Sequence, residues 1–177
     1  MHEKQFTVED WKVSSLKVLA SWSGGKESCL ACYKAVQDGF EVSHLVNFVS
    51  EDGRCMGHGI SSELVAAQSQ AVGIPIVQRR VSWETYEEGF KSVMNSLKQR
   101  GVEGAVFGDL MEIPGHEGWV DRVCKAVGLK PVKPLWGYGS EQVLDEFISA
   151  NFEAFVVAVK ADALGDEWLG ENLTEIS

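Results

Sequence analysis

Residues 21–28 read Ser-Trp-Ser-Gly-Gly-Lys-Glu-Ser and lie between a short apolar run at 16–20 and a helical pattern at 27–38. We interpret the run as a buried strand, so the two glycines form a turn from a strand into a helix. Glycine lets the backbone turn tightly there and approach a ligand closely. The first amides of the helix and the positive end of its dipole favour an anion. This stretch, the glycine loop, predicts the first βα unit of an α/β fold and a candidate phosphate site.

Apolar runs and amphipathic patterns alternate along the rest of the chain. Apolar runs predict further strands at 42–49, 74–81, 102–107, 132–136 and 154–159. Helical spacing predicts helices at 61–72, from 85 to about 100, at 119–127 and from 140. Such alternation is typical of βαβ units. We therefore expect an α/β, Rossmann-like three-layer sandwich with a mostly parallel sheet of about five strands.

Local signals set the expected ends of these helices. Thr85 and Glu88 fit a capping box before the clearest amphipathic stripe. That stripe places apolar residues at 86, 90, 93, 94 and 97 on one helical face. Ser140 is an expected N-cap. In a parallel sheet the loops after 20, 49 and 107 should meet at the carboxyl edge, where ligands bind.

The chain length and the net charge limit the domain organisation and the functions to be considered. The 177 residues suit one domain, which we place at 16–177 after an N-terminal extension at 1–15. The net charge of −10 argues against general nucleic-acid binding and against an anionic membrane surface. The polar N-terminus and four irregularly spaced cysteines favour a cytoplasmic protein with reduced thiols. Six tryptophans leave a homo-oligomer open.

The glycine loop carries the groups of a phosphate site. Ser23 and Ser28 supply hydroxyls, and Lys26 supplies a mobile positive charge. The spacing is neither that of a Walker A loop nor Gly-x-Gly-x-x-Gly. The residues alone leave two interpretations open, a phosphate-binding loop and an ordinary glycine-rich turn.

Motifs further along the chain make the interpretation more specific. The loop resembles the S-G-G-x-D-S signature of the PP-loop ATP pyrophosphatases. Gly-Asp-Leu at 108–110, His-Glu-Gly-Trp-Val-Asp-Arg-Val-Cys at 116–124, Gly-Leu-Lys-Pro at 128–131 and Pro-Leu-Trp at 134–136 follow in order. This succession resembles the diphthine–ammonia ligase family from about residue 16 to residue 170.

The resemblance implies an ATP-dependent ligase that uses Mg²⁺. Such enzymes adenylate the carboxylate of diphthine on elongation factor 2, release pyrophosphate, and let ammonia displace AMP. The implied nucleotide-binding residues are Ser21, Ser23, Gly24, Gly25, Lys26, Glu27, Ser28, His58, Gly108 and Asp109. Lys26 and Asp109 are the implied catalytic residues, and Asp109 the implied contact to a phosphate-bound Mg²⁺.

The other positions that the resemblance implies can also be explained by ordinary structural roles. His58 faces the nucleotide or acceptor, or is an ordinary loop histidine. His116 is a weaker candidate because the family's following arginine is missing. Glu88 matches a family glutamate that a capping role also explains, and Trp136 lines the pocket or, in the reading we favour, is buried in the core.

Two departures from the family pattern stand out. Glu27 replaces the signature aspartate with a longer side chain. Longer relatives also carry a Glu- and Gly-rich segment on the acceptor side, and residues 171–177 do not supply it. The nucleotide half of the site is therefore better matched than the amidation half.

Cys29 and Cys32 form a C-x-x-C pair in the first helix. A thiol at a helix N-terminus has a lowered pKa, which supports a second hypothesis, a tRNA- or sulfur-modifying ATP pyrophosphatase. The reading we favour places Cys29, Tyr33 and Val36 on the helical face that packs on the sheet. A third hypothesis is a non-catalytic adenine-nucleotide-binding module.

Overall fold

A computed structural model describes residues 15–160, 162 and 165–173. Most of the expected N-terminal extension lies outside these residues. The described part contains five strands, five α-helices and a short 3₁₀ helix, Asp166–Trp168. In chain order the strands and α-helices are β1 (Lys17–Ser21), α1 (Lys26–Gln37), β2 (Glu41–Val49), α2 (Ser62–Val72), β3 (Ile76–Arg80), α3 (Tyr86–Lys98), β4 (Gly104–Val106), α4 (Trp119–Val127), β5 (Lys130–Val132) and α5 (Ser140–Ser149).

The five strands form one fully parallel sheet in the order β3-β2-β1-β4-β5. The chain therefore winds outward in one direction from β1 through β2 and β3, and in the other direction through β4 and β5. The switch point lies between β1 and β4, and ligands bind beyond the carboxyl ends of the strands at such a point. The predicted α/β fold with about five parallel strands is confirmed.

Both faces of the sheet are covered, which gives three layers. Because side chains alternate across a strand, Val18 and Ala20 join one core cluster and Leu19 joins the other. The first cluster includes residues of α1, α2 and α5. The second includes residues of α3 and α4. The two cores hold the carboxyl edge of the sheet, where the candidate site lies, in a fixed arrangement.

The apolar stripe of α3 is confirmed. Phe90, Val93, Met94 and Leu97 are buried in the core, and Tyr86 packs against the same cluster. The capping box is wrong, because no side chain caps this helix. The Thr85 hydroxyl instead accepts a hydrogen bond from the Ser82 amide at 2.9 Å, and Glu88 is exposed. The expected Ser140 cap is also wrong, since Gly139 is the N-cap of α5.

Two of the expected strands need correction. The strand expected at 132–136 lies instead at Lys130–Val132. It includes Pro131, which the edge of a sheet tolerates because one side needs no backbone donor. The strand expected at 154–159 is wrong for the described residues, where one isolated bridge joins Phe155 to Asn172.

The buried face of α1 also differs from the expectation. Its buried residues include Leu30, Ala31, Cys32 and Ala35, whereas Tyr33 and Val36 are exposed. Small residues at 31 and 35 let the helix approach the sheet, so the buried stripe leaves out Tyr33 and Val36, whereas Cys29 is partly buried and packs against the core as expected. Among the described residues, no helix combines the length and apolarity needed to cross a bilayer.

Candidate functional site

The glycine loop leaves the sheet at the carboxyl end of β1. The Trp22 amide donates to the Val46 carbonyl at 2.8 Å and so extends the pairing with β2 by one step. Gly24 then adopts a φ of +83°, a conformation that L side chains rarely take. Helix α1 begins two residues later at Lys26. The predicted strand–turn–helix geometry is therefore present.

Hydroxyl groups and an imidazole surround the turn. The Ser28 hydroxyl donates to the Gly25 carbonyl at 2.9 Å and lies 3.1 Å from the Ser23 hydroxyl. Ser23 Oγ in turn lies 3.2 Å from His58 Nε2, which the loop after β2 supplies. The structure thus brings Ser23, Gly25, Ser28 and His58 together at the turn, and their roles in nucleotide binding stay predictions.

The backbone donors of the loop are largely unused. The amides of residues 23, 24 and 26–28 have no hydrogen bond to an acceptor within the described part of the chain. The Gly25 amide reaches only Ser23 Oγ, at 3.4 Å. Free amides at the start of a helix, together with its dipole, form an anion-binding arrangement. The loop is therefore chemically suited to a phosphate group.

Lys26 forms an ion pair with its own neighbour. Its Nζ lies 2.5 Å from Glu27 Oε1, and both side chains are about 30% exposed. The longer glutamate at the position of the signature aspartate therefore reaches the lysine that was expected to hold phosphate. To contact an anion, Lys26 must share or give up this partner.

The end of β4 packs tightly on the first turn of α1. A Cβ atom at Gly108 would lie 2.8 Å from the Glu27 carbonyl carbon and 3.0 Å from the Ser28 nitrogen. A side chain at position 108 would therefore push the helix away from the strand. This contact brings Asp109 to the same edge of the sheet as the glycine loop.

A cavity of about 450 Å³ lies beside the loop, beyond the ends of β1 and β4. Ser21 and Asp109 both line it, and Tyr86, Trp119 and Trp136 supply aromatic walls. Burial raises the pKa of the Asp109 carboxyl, and nearby Glu112 adds to this, while Lys133 opposes it. Burial and the negative Asp109 also raise the pKa of Tyr86 to about 12, so its hydroxyl stays protonated at neutral pH.

Glu87 organises the wall of this cavity that α3 and α4 form. It accepts hydrogen bonds from Arg122 at 2.7 Å, from Lys91 at 2.5 Å and from the Trp119 indole at 3.1 Å. The hydrogen bonds and charges of Arg122 and Lys91 lower the pKa of Glu87 to about 2. The neighbouring Glu88, which the family resemblance suggested, does not line the cavity.

Trp136 corrects another expectation. It is 40% exposed and lines the cavity rather than the core. The ammonium of Lys133 lies 4.2 Å from the centre of its ring, a cation–π contact, and also pairs with Asp121 at 2.9 Å. His116 lines the same cavity.

The predicted site residues fall into two adjoining groups. His58 and residues 23–28 of the glycine loop do not line the large cavity, whereas Asp109 does. Ser21 and Tyr86 also border a recess of about 60 Å³ that Ser23 and Gly57 help to line, and so connect the groups. Sequence reasoning missed Glu87 and assigned Tyr86 only to the core. The one available signal for Glu87 was its i,i+4 spacing to Lys91.

The cysteines offer neither a reactive thiol nor a metal site. Desolvation by burial raises the pKa of Cys29 and of Cys32 to about 11, which is the opposite of the lowering that a helix N-terminus would give Cys29. The described residues contain no group of three or more His, Cys, Asp or Glu side chains placed to hold a metal ion.

A parallel sheet in the order β3-β2-β1-β4-β5, with a turn after β1 that suits an anion and a cavity at the switch point, is a Rossmann-like α/β arrangement, the fold class to which PP-loop proteins belong. The family described as "Diphthamide synthase N-terminal domain" matches residues 16–131. The chain therefore belongs to the diphthamide synthase family, which confirms the resemblance seen in the sequence. The boundaries 1–15 and 16–177 remain predictions.

Known proteins agree with this assignment. Diphthine–ammonia ligase of Rattus norvegicus is 26% identical over 91% of this chain and 68% of its own length. The Schizosaccharomyces pombe enzyme is 24% identical, and the match covers 30% of that protein. A structure described as a predicted subunit of tRNA methyltransferase from Methanocaldococcus jannaschii aligns with a TM-score of 0.52 and 16% identity over 75% of each chain. At that identity the structural likeness concerns the fold alone.

Proposed function

We propose that this protein is an ATP-dependent ligase that amidates a carboxylate, forming AMP and pyrophosphate through an acyl-adenylate, with ammonia as the nucleophile. The observation that carries the proposal is that two chemically different parts of the site, the glycine loop and the cavity, adjoin at the carboxyl edge of the sheet. The free amides of the glycine loop suit the phosphates of ATP. The cavity beside them carries a half-buried carboxylate, Asp109, and suits an organic acceptor.

The reaction has two displacements. The acceptor carboxylate attacks the α-phosphorus of ATP, and the bond between the α-phosphorus and the bridging oxygen breaks to release pyrophosphate. Ammonia then attacks the acyl carbon, AMP leaves with the oxygen that joined it to the acyl group, and the amide nitrogen loses a proton. The loop amides and Lys26 stabilise the negative charge that develops on pyrophosphate. Binding both substrates at adjoining sites supplies the orientation.

Mg²⁺ fits this site only as a partner of the nucleotide. Mg²⁺ usually binds one or two protein carboxylates together with substrate phosphates. Asp109 supplies one carboxylate at the switch point, in keeping with the absence of a multi-carboxylate cluster among the described residues. When bound, the ion would neutralise part of the phosphate charge.

The acceptor we propose is diphthine, which the names of the relatives contain, carried on elongation factor 2 as the family resemblance in the sequence implies. The cavity opens among exposed apolar side chains, which include Trp83, Met111 and Ile113. Such a rim accommodates a residue presented by a protein partner. The net charge of −10 argues against a general nucleic-acid partner.

The deciding experiment is product analysis. The purified chain is incubated with ATP, Mg²⁺, ammonium and diphthine-bearing elongation factor 2. We expect AMP, pyrophosphate and an amidated acceptor in equal amounts, whereas ADP and phosphate would contradict the proposal. Lys26→Ala should lower the rate. Lys125→Ala, an exposed position on α4, is the matched control.

The two other hypotheses give different results in the same assay. A non-catalytic module would bind ATP but release no pyrophosphate with any acceptor. A sulfur-transferring enzyme would need Cys29, whose raised pKa leaves it a protonated thiol at neutral pH and hence a weak nucleophile.

A further inference from the structure

We propose that Gln68 is a positioning residue that holds the glycine loop in its anion-binding shape without itself touching the nucleotide. This inference rests on the proposed function, in which the loop binds the phosphates of ATP. Gln68 lies on α2, a helix that sequence analysis did not connect with the site. Its side chain reaches across to two residues of the loop.

Both ends of the Gln68 amide are used. Gln68 Oε1 accepts from the Trp22 indole nitrogen at 3.0 Å, and Gln68 Nε2 donates to the Gly24 carbonyl at 3.1 Å. An indole N–H can only donate and a carbonyl can only accept. The orientation of the amide therefore follows from its two partners. One side chain thus joins the residues on either side of Ser23.

A second amide holds the same loop from the sheet. Asn47, which is 3% exposed on β2, donates from Nδ2 to the Trp22 carbonyl at 2.9 Å. Its Oδ1 accepts from Cys55 Sγ at 3.2 Å and from Gln78 at 3.3 Å. The carbonyls of Trp22 and Gly24 are therefore both tied to side-chain amides.

The hydrogen bonds from Gln68 and Asn47 to the loop carbonyls affect anion binding. A free carbonyl oxygen facing a phosphate would repel it, whereas a carbonyl that accepts a hydrogen bond elsewhere is fixed in direction. With both carbonyls held, the intervening amides stay oriented for an anion before it arrives, which lowers the cost of binding.

Close packing of Gly24 supports this role. A Cβ atom there would lie 3.0 Å from Gln68 Oε1 and 2.8 Å from Ile60 Cδ1, so α2 and its neighbouring loop press directly against the turn. Asn47 is too deeply buried to be replaced without harm to the core. Gln68 is half-buried and so offers the cleaner test.

The test compares Gln68→Met with Gln70→Met. Methionine keeps the approximate volume of Gln68 and removes both hydrogen bonds, and Gln70 is an exposed position on the same helix. Calorimetry with ATP and Mg²⁺ measures affinity, and urea unfolding measures stability. We expect Gln68→Met to weaken ATP binding about tenfold, equivalent to about 1.4 kcal/mol. A merely structural residue would change the unfolding free energy without this selective loss of affinity.

Hydrogen exchange provides a readout without nucleotide. The amides of residues 23–28 should exchange faster in Gln68→Met than in Gln70→Met, because the loop opens more often when its tether is cut. Unchanged exchange, or ATP affinity equal to wild type, would overturn the role of Gln68 while leaving the proposed function intact. If the wild type binds no ATP, the proposed function fails instead, and hydrogen exchange still decides whether Gln68 holds the loop.

Discussion

The imidazole of His58 lies against the backbone of Gly25. A Cβ atom at position 25 would overlap His58 Nε2, and the same nitrogen lies 3.2 Å from Ser23 Oγ. Gly25 has a φ of −92° and a ψ of 172°, which any residue can adopt. The imidazole, and not the backbone conformation, is therefore what a side chain at position 25 would have to displace.

The first prediction concerns this contact. Gly25→Ala should displace the His58 ring and weaken ATP binding about tenfold, equivalent to about 1.4 kcal/mol. Because the clash disappears with the ring, Gly25→Ala in a His58→Ala background should cost much less. A double-mutant cycle by calorimetry measures this coupling, and additive losses would contradict it. Gly139→Ala is the control, because a Cβ atom added there would meet no neighbouring group within 4 Å.

The Lys26–Glu27 ion pair leads to a second prediction. Glu27→Gln removes the carboxylate that neutralises Lys26, so pyrophosphate should bind about threefold more tightly, within the 0.2–1 kcal/mol typical of exposed pairs. Titration of pyrophosphate without Mg²⁺ measures the effect, and Glu141→Gln on α5 is a control for the change in net charge. Weaker binding would show that Glu27 serves the anion in some other way.

Gly108 gives a prediction about stability. Gly108→Ala forces a Cβ into the backbone of the first turn of α1, 2.8 Å from the Glu27 carbonyl carbon. Overpacking of this kind costs about 1–3 kcal/mol. Urea unfolding should show that loss, and Gly139→Ala should cost less. If Gly108→Ala had the same free energy of unfolding as the wild type, β4 and α1 could move apart without a measurable cost.

The buried Asp109 carboxylate should lower the stability of the folded protein at neutral pH, where it is also the candidate catalytic group. Its pKa is raised by burial in the folded protein, so the folded state binds a proton more tightly than the unfolded chain does. Its contribution to stability is therefore present below the usual pKa and is lost as pH rises through the raised value. At pH 7 the free energy of unfolding of Asp109→Asn should exceed that of the wild type, and this difference should narrow as the pH falls.

Urea unfolding at several pH values measures that gap. Asp145→Asn, at an exposed position on α5, is the matched control. A wild type more stable than Asp109→Asn at pH 7 would show that the ionised carboxylate is held by favourable contacts. The same variant should also lower the rate of amide formation if Asp109 is catalytic.

Cys29 provides the last prediction. Because burial raises its pKa to about 11, less than one thiol in a thousand is ionised at neutral pH. Cys29→Ser should therefore keep the full rate of pyrophosphate release. Loss of turnover with unchanged ATP affinity would instead favour the sulfur-transfer hypothesis.

Much of the fold could be predicted from local patterns. The stripe on α3 and the turn after β1 followed directly from residue spacing, since both depend on neighbours in sequence. The strand expected at 154–159 failed because an apolar run does not itself supply a pairing partner. Trp136 was misplaced because its hydrophobicity suits a cavity wall as well as a core.

The sequence by itself determined the α/β class, the family and the position of the glycine loop. These depend on side-chain periodicity and on residues adjacent in the chain. Only the tertiary structure decided which distant groups meet that loop, His58 and Gln68 among them, because sheet order sets those distances. It also decided that Glu87 and not Glu88 faces the cavity, since successive residues on a helix point about 100° apart.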